Sequence, residues 1–397
     1  MDAIFVKIIT GRIVFFLFFM LQTGGCVQEC TNLNKIVVDV SRHYPKKELM
    51  IENLADIDYL MLEARDEYLF SFILGISENF VIAGNHVENS FIFFSRETGK
   101  PVSKISRYGN GPEEYNLAAA SVYSEKDDEF FILNYPSGIN VYGRDGTYKR
   151  KLKFRERSYL GGPEAFYDYD SDNLLFYDGF QGDINDYPTA FVLLSKKDGS
   201  ITKEIPIEYE KKVSLMFTQK TDGNALVGSM PDVYFAVHNG NDFLLTDYST
   251  DTVYRFTQNQ ELIPVLIRKP SIQTMESKII LHSWLETDKY LFLSTNKLEI
   301  DWNDPSEFAD KGLLVEKSSG DIYEAIVGMK DYTGKIITLG PSVLSRSLKN
   351  AQVGYIVLPA SELLDAEING RLKGKLKDMV KRFSDDDEFV LMIMRFK

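Results

Sequence analysis

Apolar positions in this chain fall in short β-branched and aromatic runs, each closed by a polar cluster containing Gly, Asn or Asp. Five segments repeat the layout strand, tight turn, strand: 91–105 (FIFFSRETGKPVSKI), 139–154 (INVYGRDGTYKRKLKF), 191–205 (FVLLSKKDGSITKEI), 252–267 (TVYRFTQNQELIPVLI) and 313–327 (LLVEKSSGDIYEAIV). Gly, Asn and Asp tolerate the positive φ that hairpin turns demand, and the flanking residues suit pleated strands. Gly99, Gly146 and Gly199 recur about every 50 residues, the period of a four-stranded blade, with later repeats spaced wider. Each hairpin then supplies a blade's outer two strands. The inner strands precede it, as in 130–134, 174–177 and 243–247. No helical period long enough for α/β alternation falls between the strands.

Two apolar strands remain outside this pattern, 56–62 (DIDYLML) near the start and 389–396 (FVLMIMRF) at the end. Pairing them completes a sixth blade and removes the open edges of an array. Between the fifth hairpin and the last strand, residues 361–383 place Leu364, Ile368, Leu372, Leu376 and Val380 at four-residue steps. That spacing predicts an amphipathic helical segment, broken at Asn369-Gly370, whose apolar stripe packs on the propeller. The expected fold is all-β: one six-bladed β-propeller of four-stranded antiparallel blades over 51–397, with a helical insertion at 360–384.

Length agrees, since 397 residues exceed what one ordinary core serves and a repeat array distributes its core. Hydrophobic residues make up 44% and aromatic residues 13%, ample for a folded body. The formal net charge of -13 argues against binding a phosphate backbone, so no nucleic-acid partner is expected.

Residues 1–25 read as an export leader: Lys7 and Arg12 precede the apolar run 13–21, which is too short to span a bilayer. Thr23-Gly24-Gly25-Cys26 resembles a bacterial lipobox, with Thr23 where Leu is usual. Cleavage before Cys26 and its acylation would give a lipid-anchored chain with residues 26–50 as tether and N-terminal segment. The alternative is plain secretion with a Cys26–Cys30 disulfide. No other cysteine exists, so the body has neither a disulfide framework nor a thiolate metal site.

The stretch Gly109-Asn110-Gly111-Pro112-Glu113-Glu114-Tyr115 separates the first two blades. Pro112 removes one N–H and Glu113 and Glu114 add negative charge, so a phosphate cradle is a poor fit. The structural reading is a tight crossover from the outer strand of one blade to the inner strand of the next. The functional reading aims Arg107, Asn110, Glu113 and Tyr115 at a ligand in the propeller mouth. Asp168, Asp170 and Asp172 alternate like the start of a calcium loop, but Asn173 replaces the diagnostic Gly and Gly179 the bidentate Glu. They read better as an exposed turn. His43, His86, His238 and His282 stand singly, without ligand spacing. No GxSxG elbow occurs. No metal, cofactor or catalytic residue is therefore assigned.

From Ile51 through Phe154 the order is an opening strand DIDYLMLE, a first blade ending Lys104-Ile105-Ser106-Arg107-Tyr108, the GNGPEEY motif, and a second blade turning at Arg144-Asp145-Gly146. This resembles the Bacteroidetes six-bladed β-propeller lipoproteins, of TolB-like and NHL-like build. The C-terminal helix, the acidic run 384–388 and a final strand resemble that family too, although Glu388-Phe389 stands where an Asn-Pro pair is common. The resemblance implies a monomeric outer-membrane lipoprotein, facing the periplasm or the exterior. Its propeller would bind a protein, peptide or glycan as a scaffold. The competing expectation is a carbohydrate-active hydrolase or lyase with paired carboxylates at the channel.

Overall fold

The computed structural model describes residues 36–134, 138–153, 165–177, 191–221, 224–229, 234–298, 311–337, 339–340, 353–384 and 389–397. The leader, Cys26, Cys30, Gly179 and residues 385–388 lie outside them. Residues from Lys35 to Lys397 form one compact unit, a ring of six antiparallel blades.

Blade 1 comprises Phe72–Ile76, Phe80–Asn85, Ser90–Ser95 and Pro101–Ile105; blade 2, Ala118–Ser124, Glu129–Asn134, Gly138–Gly143 and Tyr148–Leu152. Blade 3 comprises Ala165–Asp168, Asn173–Tyr177, Phe191–Ser195 and Ile201–Ile205. Blade 4 comprises Ala236–Asn239, Asp242–Leu245, Thr252–Phe256 and Leu262–Lys269; blade 5, Ile279–Glu286, Tyr290–Lys297, Lys311–Glu316 and Ile322–Gly328. All five expected hairpins are the outer pairs of these blades. First strands of neighbouring blades approach one another around the axis, as Ala118–Ser124 does Ala165–Asp168. Blade 6 closes the ring as expected: Phe389–Phe396 lies between Val353–Pro359 and the N-terminal strand Ala55–Leu60, pairing Leu391 with Leu60 through Phe396 with Ala55.

Three of the five hairpin turns repeat one hydrogen-bond scheme, and a basic residue three positions before the turn glycine carries it. Arg96, Lys196 and Lys317 precede Gly99, Gly199 and Gly320, whose φ values are 74°, 80° and 77°. The backbone N–H of each basic residue donates across the blade, to Asn79, Asp172 and Lys289 carbonyls respectively. Blades 2 and 4 use a turn one residue shorter, in which the N–H groups of Gly146 and Gln260, at φ 81° and 59°, donate to the Gly143 and Thr257 carbonyls. Apolar faces of adjacent blades then pack against each other, so the core is distributed from seam to seam. Phe91, Phe93 and Phe130 pack at the seam of blades 1 and 2, and Leu244, Leu266 and Leu293 at that of blades 4 and 5.

Three features differ from the sequence-based expectation. Within the 26–50 segment, Ile36–Asp39 pairs in parallel with the outer strand of blade 4, and Lys46–Met50 with that of blade 5. Strands added at an outer edge are half solvated, and the mixed pattern of KKELM hid them. The helical insertion breaks at Asn369-Gly370 as expected, into Ala360–Ile368 and Gly374–Val380 with Gly370 at φ 67°, and differs only in the face it buries. Leu372, Leu376 and Val380 are buried as expected, but Leu364 and Ile368 are exposed. The first helix buries Ala360, Leu363 and Ala366 instead, because the break at Gly370 releases it from the register of the second. A further hairpin, Met216–Thr221 with Asn224–Ser229, forms its own sheet between blades 3 and 4.

Candidate functional site

GNGPEEY is the crossover from the outer strand of blade 1 to the first strand of blade 2, and much of its backbone is hydrogen-bonded within the loop and to blade 2. Gly111 N–H donates to Glu114 Oε2 at 2.8 Å, so the loop's own carboxylate takes the acceptor position a bound phosphate would need. A Cβ at Gly109 would lie 2.0 Å from the same oxygen, so a larger residue there would displace the Glu114 carboxylate from this bond. Asn140 Nδ2 donates to the Glu114 carbonyl and Tyr142 Oη to that of Glu113, both at 2.9 Å, fastening the loop to blade 2. Tyr115 is wholly buried against Phe91 and Tyr142, and its hydroxyl donates to the Asn89 carbonyl. Arg107 donates through Nε to the Gly146 carbonyl at 3.0 Å. Arg107, Asn110 and Glu113 are exposed, while Tyr115 is sequestered, so these four do not converge on one accessible point.

The aspartate series is a turn, with Asp170 Oδ1 accepting from the N–H groups of Asp172 and Asn173 at 2.7 Å each. Asp168, however, is not in an exposed turn. It is fully buried 2.6 Å from Lys196 Nζ, which also meets Asp127 at 2.8 Å. Burial alone would lower the Lys196 ammonium, but Asp168 and Asp127 more than offset this and hold it above its ordinary range. A second buried pair joins Lys212 to Asp247 at 2.7 Å, with the Tyr177 hydroxyl 2.7 Å from the same ammonium. Burial and the Asp247 carboxylate push the Tyr177 hydroxyl far up, so it stays protonated and serves as a structural hydrogen-bonding group. Among the described residues no group of three or more His, Cys, Asp and Glu side chains is placed to hold a metal.

His282 is buried in the first strand of blade 5, its Nδ1 2.9 Å from the Tyr248 hydroxyl, and burial lowers it from 6.5 to about 4. The folded protein therefore refuses a proton that the unfolded chain accepts below pH 6.5. Stability is full above that pH and falls as pH drops toward 4, by about 3 kcal/mol in all from this residue. Chemical-denaturation curves at pH 7 and pH 4.5 should show a smaller loss for His282→Gln than for wild type. Parallel losses would show that carboxylates alone set the acid limit.

A cavity of about 650 Å³ lies at the end of blade 5, where Ile279 opens the first strand, Lys297 ends the second and Lys311 opens the third. The loop 39–46, running between the two added N-terminal strands, forms its other wall. Among the described residues, Arg42, Lys46, Lys297 and Lys311 line it with two carboxylates, Asp39 and Glu324. Asp39 is already engaged by Ser41, which holds its carboxyl below the usual range. Trp284 and Phe292 supply a buried aromatic floor, and Trp284 Nε1 is buried with no hydrogen-bond partner among the described residues. Sequence reasoning missed this site entirely, because its residues are scattered from 39 to 339 and meet only through strand register.

A family model described as a domain of unknown function (DUF4934) matches residues 35–395. Among solved structures, a protein of Bacteroides fragilis described as a candidate exported protein is similar at a TM-score of 0.62 and 15% identity, covering 91% of this chain and 99% of that one. A DUF4221 family member from Bacteroides vulgatus matches at a TM-score of 0.47 and 13% identity, over 87% of this chain and 97% of its own. No curated protein matches. Among the described residues no helix is long and apolar enough to cross a membrane.

Proposed function

We propose, from the premise that the chain belongs to the DUF4934 family, that it is a non-enzymatic binding propeller of the cell envelope, held there by lipid on Cys26. The single observation that supports binding is the blade 5 cavity, built on strand ends of one blade and lined by charged side chains. A glycosidase would need a pocket governed by two carboxylates at a working separation. This one is basic in lining, which favours holding an anionic group over cleaving a glycosidic bond. Export is supported by the apolar leader and by the description of the similar Bacteroides fragilis protein. The lipobox-like Gly24-Gly25-Cys26 supports the anchor, since several acyl chains hold a protein at a membrane where one does not.

The test is in the native bacterium. A photo-crosslinking amino acid at Ile336, exposed on the cavity rim, should capture a discrete adduct, whereas the same residue at the distant Val87 should not. Cys26→Ala should remove fatty-acid labelling, leave the protein out of the membrane fraction and abolish the adduct. Identical capture from both positions, or a soluble unlabelled wild type, would sink this reading.

A further inference from the structure

We propose that the seam of blades 6 and 1 is a second ligand site, a groove that binds an oligosaccharide carrying a uronic acid through the arginines Arg96 and Arg395. The groove measures about 830 Å³. Arg395 projects exposed from the closing strand of blade 6, Arg96 stands half-buried in the outer hairpin turn of blade 1, and Arg144 lines the groove from the corresponding turn of blade 2. Two of the three are held in place. Arg96 Nη1 donates to the Ser77 carbonyl at 2.9 Å, and Arg144 lies 4.6 Å above the Phe80 ring with Asp128 3.1 Å from its Nε.

What singles the groove out is an unfavourable arrangement of charge. The aspartates beside Arg395 on the neighbouring strand go to other cations, Asp56 to Lys397 at 2.6 Å and Asp58 to Lys375 at 3.5 Å. Neither Arg96 nor Arg395 forms an ion pair among the described residues. Burial and then the charge of Arg395 hold the Arg96 guanidinium below its ordinary value, and no single carboxylate acts on it as strongly as that second cation. Like charges brought together without a counter-ion destabilise a fold, and such departures concentrate where a ligand completes the arrangement. Two guanidiniums offer forked donors that a planar carboxylate matches.

The rest of the lining decides what that carboxylate belongs to. Asp58, Glu78 and Glu97 line the same groove and are exposed to it. Ionised carboxylates only accept hydrogen bonds, so they suit hydroxyl donors and repel further anionic groups. A phosphate dianion or an acidic peptide would bring extra charge against them. A uronic acid among neutral sugars brings one carboxylate on a body of uncharged hydroxyls. Phe80, half-buried, and Val102, 46% exposed, leave apolar surface for the C–H face of a sugar ring. The volume falls within the range of small-ligand sites.

Calorimetry on the chain from Cys26 onward, made without acylation, tests this with aldotriouronic acid, a glucuronate on xylobiose, and with its galacturonate counterpart. At least one should bind saturably at one site, and its methyl ester, neutral but otherwise the same, should bind at least tenfold more weakly. Triglutamate should do no better than the ester. Arg395→Gln should weaken the acid at least tenfold yet melt no lower than wild type, because it relieves a repulsion. Arg96→Lys keeps the charge but loses the fork, and should weaken binding as well. Lys46→Gln, in the blade 5 cavity, should bind as wild type does. No binding of either acid, equal binding of acid and ester, triglutamate matching the acid, or normal binding by Arg395→Gln would overturn the site. An Arg395→Gln variant that loses binding and also melts lower would overturn it too, by making Arg395 a structural residue. The groove shares no lining residue with the blade 5 cavity, so its failure leaves the binding reading to the crosslink at position 336.

Discussion

A chain that stops at residue 388 is expected to lose cooperative folding and to aggregate. The strand it lacks, Phe389–Phe396, is the middle of blade 6, hydrogen-bonded to Val353–Pro359 on one side and Ala55–Leu60 on the other. Removing it breaks the ring and exposes two unpaired edges at once. Val390, Leu391, Met392, Met394 and Phe396 are all buried, and at roughly 1.5–3 kcal/mol each their burial rivals the whole stability of a typical domain. A milder probe is Met392→Ala, which removes only packing and should cost about 2–5 kcal/mol without opening the ring. Lys397, whose ion pair with Asp56 is largely exposed, should tolerate alanine with little change. Size-exclusion profiles, limited proteolysis and thermal melts distinguish these outcomes. A truncated protein that stays monomeric and melts with the full-length chain would place the closure elsewhere.

Closure and hairpins were legible in the sequence because each rests on a local rule. A hairpin turn needs a residue at positive φ, and Gly99, Gly146, Gly199 and Gly320 announce four of them. Two apolar strands without partners, one near each terminus, announce the sixth blade that closes the ring. The cavity was illegible for the opposite reason. Lys46 reaches it through pairing with Glu324, and Lys311 through pairing with Thr295, so strand register within blade 5 joins residues from opposite ends of the chain. GNGPEEY stood out because it serves as a tight crossover, and that crossover engages the Glu114 carboxylate and the Tyr115 hydroxyl. Tyr115 illustrates the limit: an aromatic beside charged residues reads as a ligand contact, while its fate depended on Phe91 and Tyr142 arriving from two other strands.

Lys196 was equally hidden, since the run Ser195-Lys196-Lys197-Asp198-Gly199 reads as a solvated turn. Its side chain is only 6% exposed and crosses from blade 3 to the first turn of blade 2, meeting Asp127 at 2.8 Å and Ser124 Oγ at 3.2 Å as well as Asp168. Its carbonyl crosses the same seam, accepting from Arg150 Nε and Nη2 at 3.1 and 2.9 Å while Arg150 grips both oxygens of Glu129. Lys196→Met should therefore cost about 3–5 kcal/mol, chiefly by leaving the Asp168 carboxylate buried without its cation. The partner change separates that cause from lost packing. Asp168→Asn in the Lys196→Met background removes the stranded charge and should recover most of the loss, giving a large coupling in the double-mutant cycle. The exposed pair Lys375–Asp58 at 3.5 Å is the contrast, and breaking it should change little. Urea denaturation of the four proteins measures the cycle. Additive losses, or a Lys196→Met variant within 1 kcal/mol of wild type, would mean that the seam is held by its apolar contacts and that the buried lysine is tolerated instead of required.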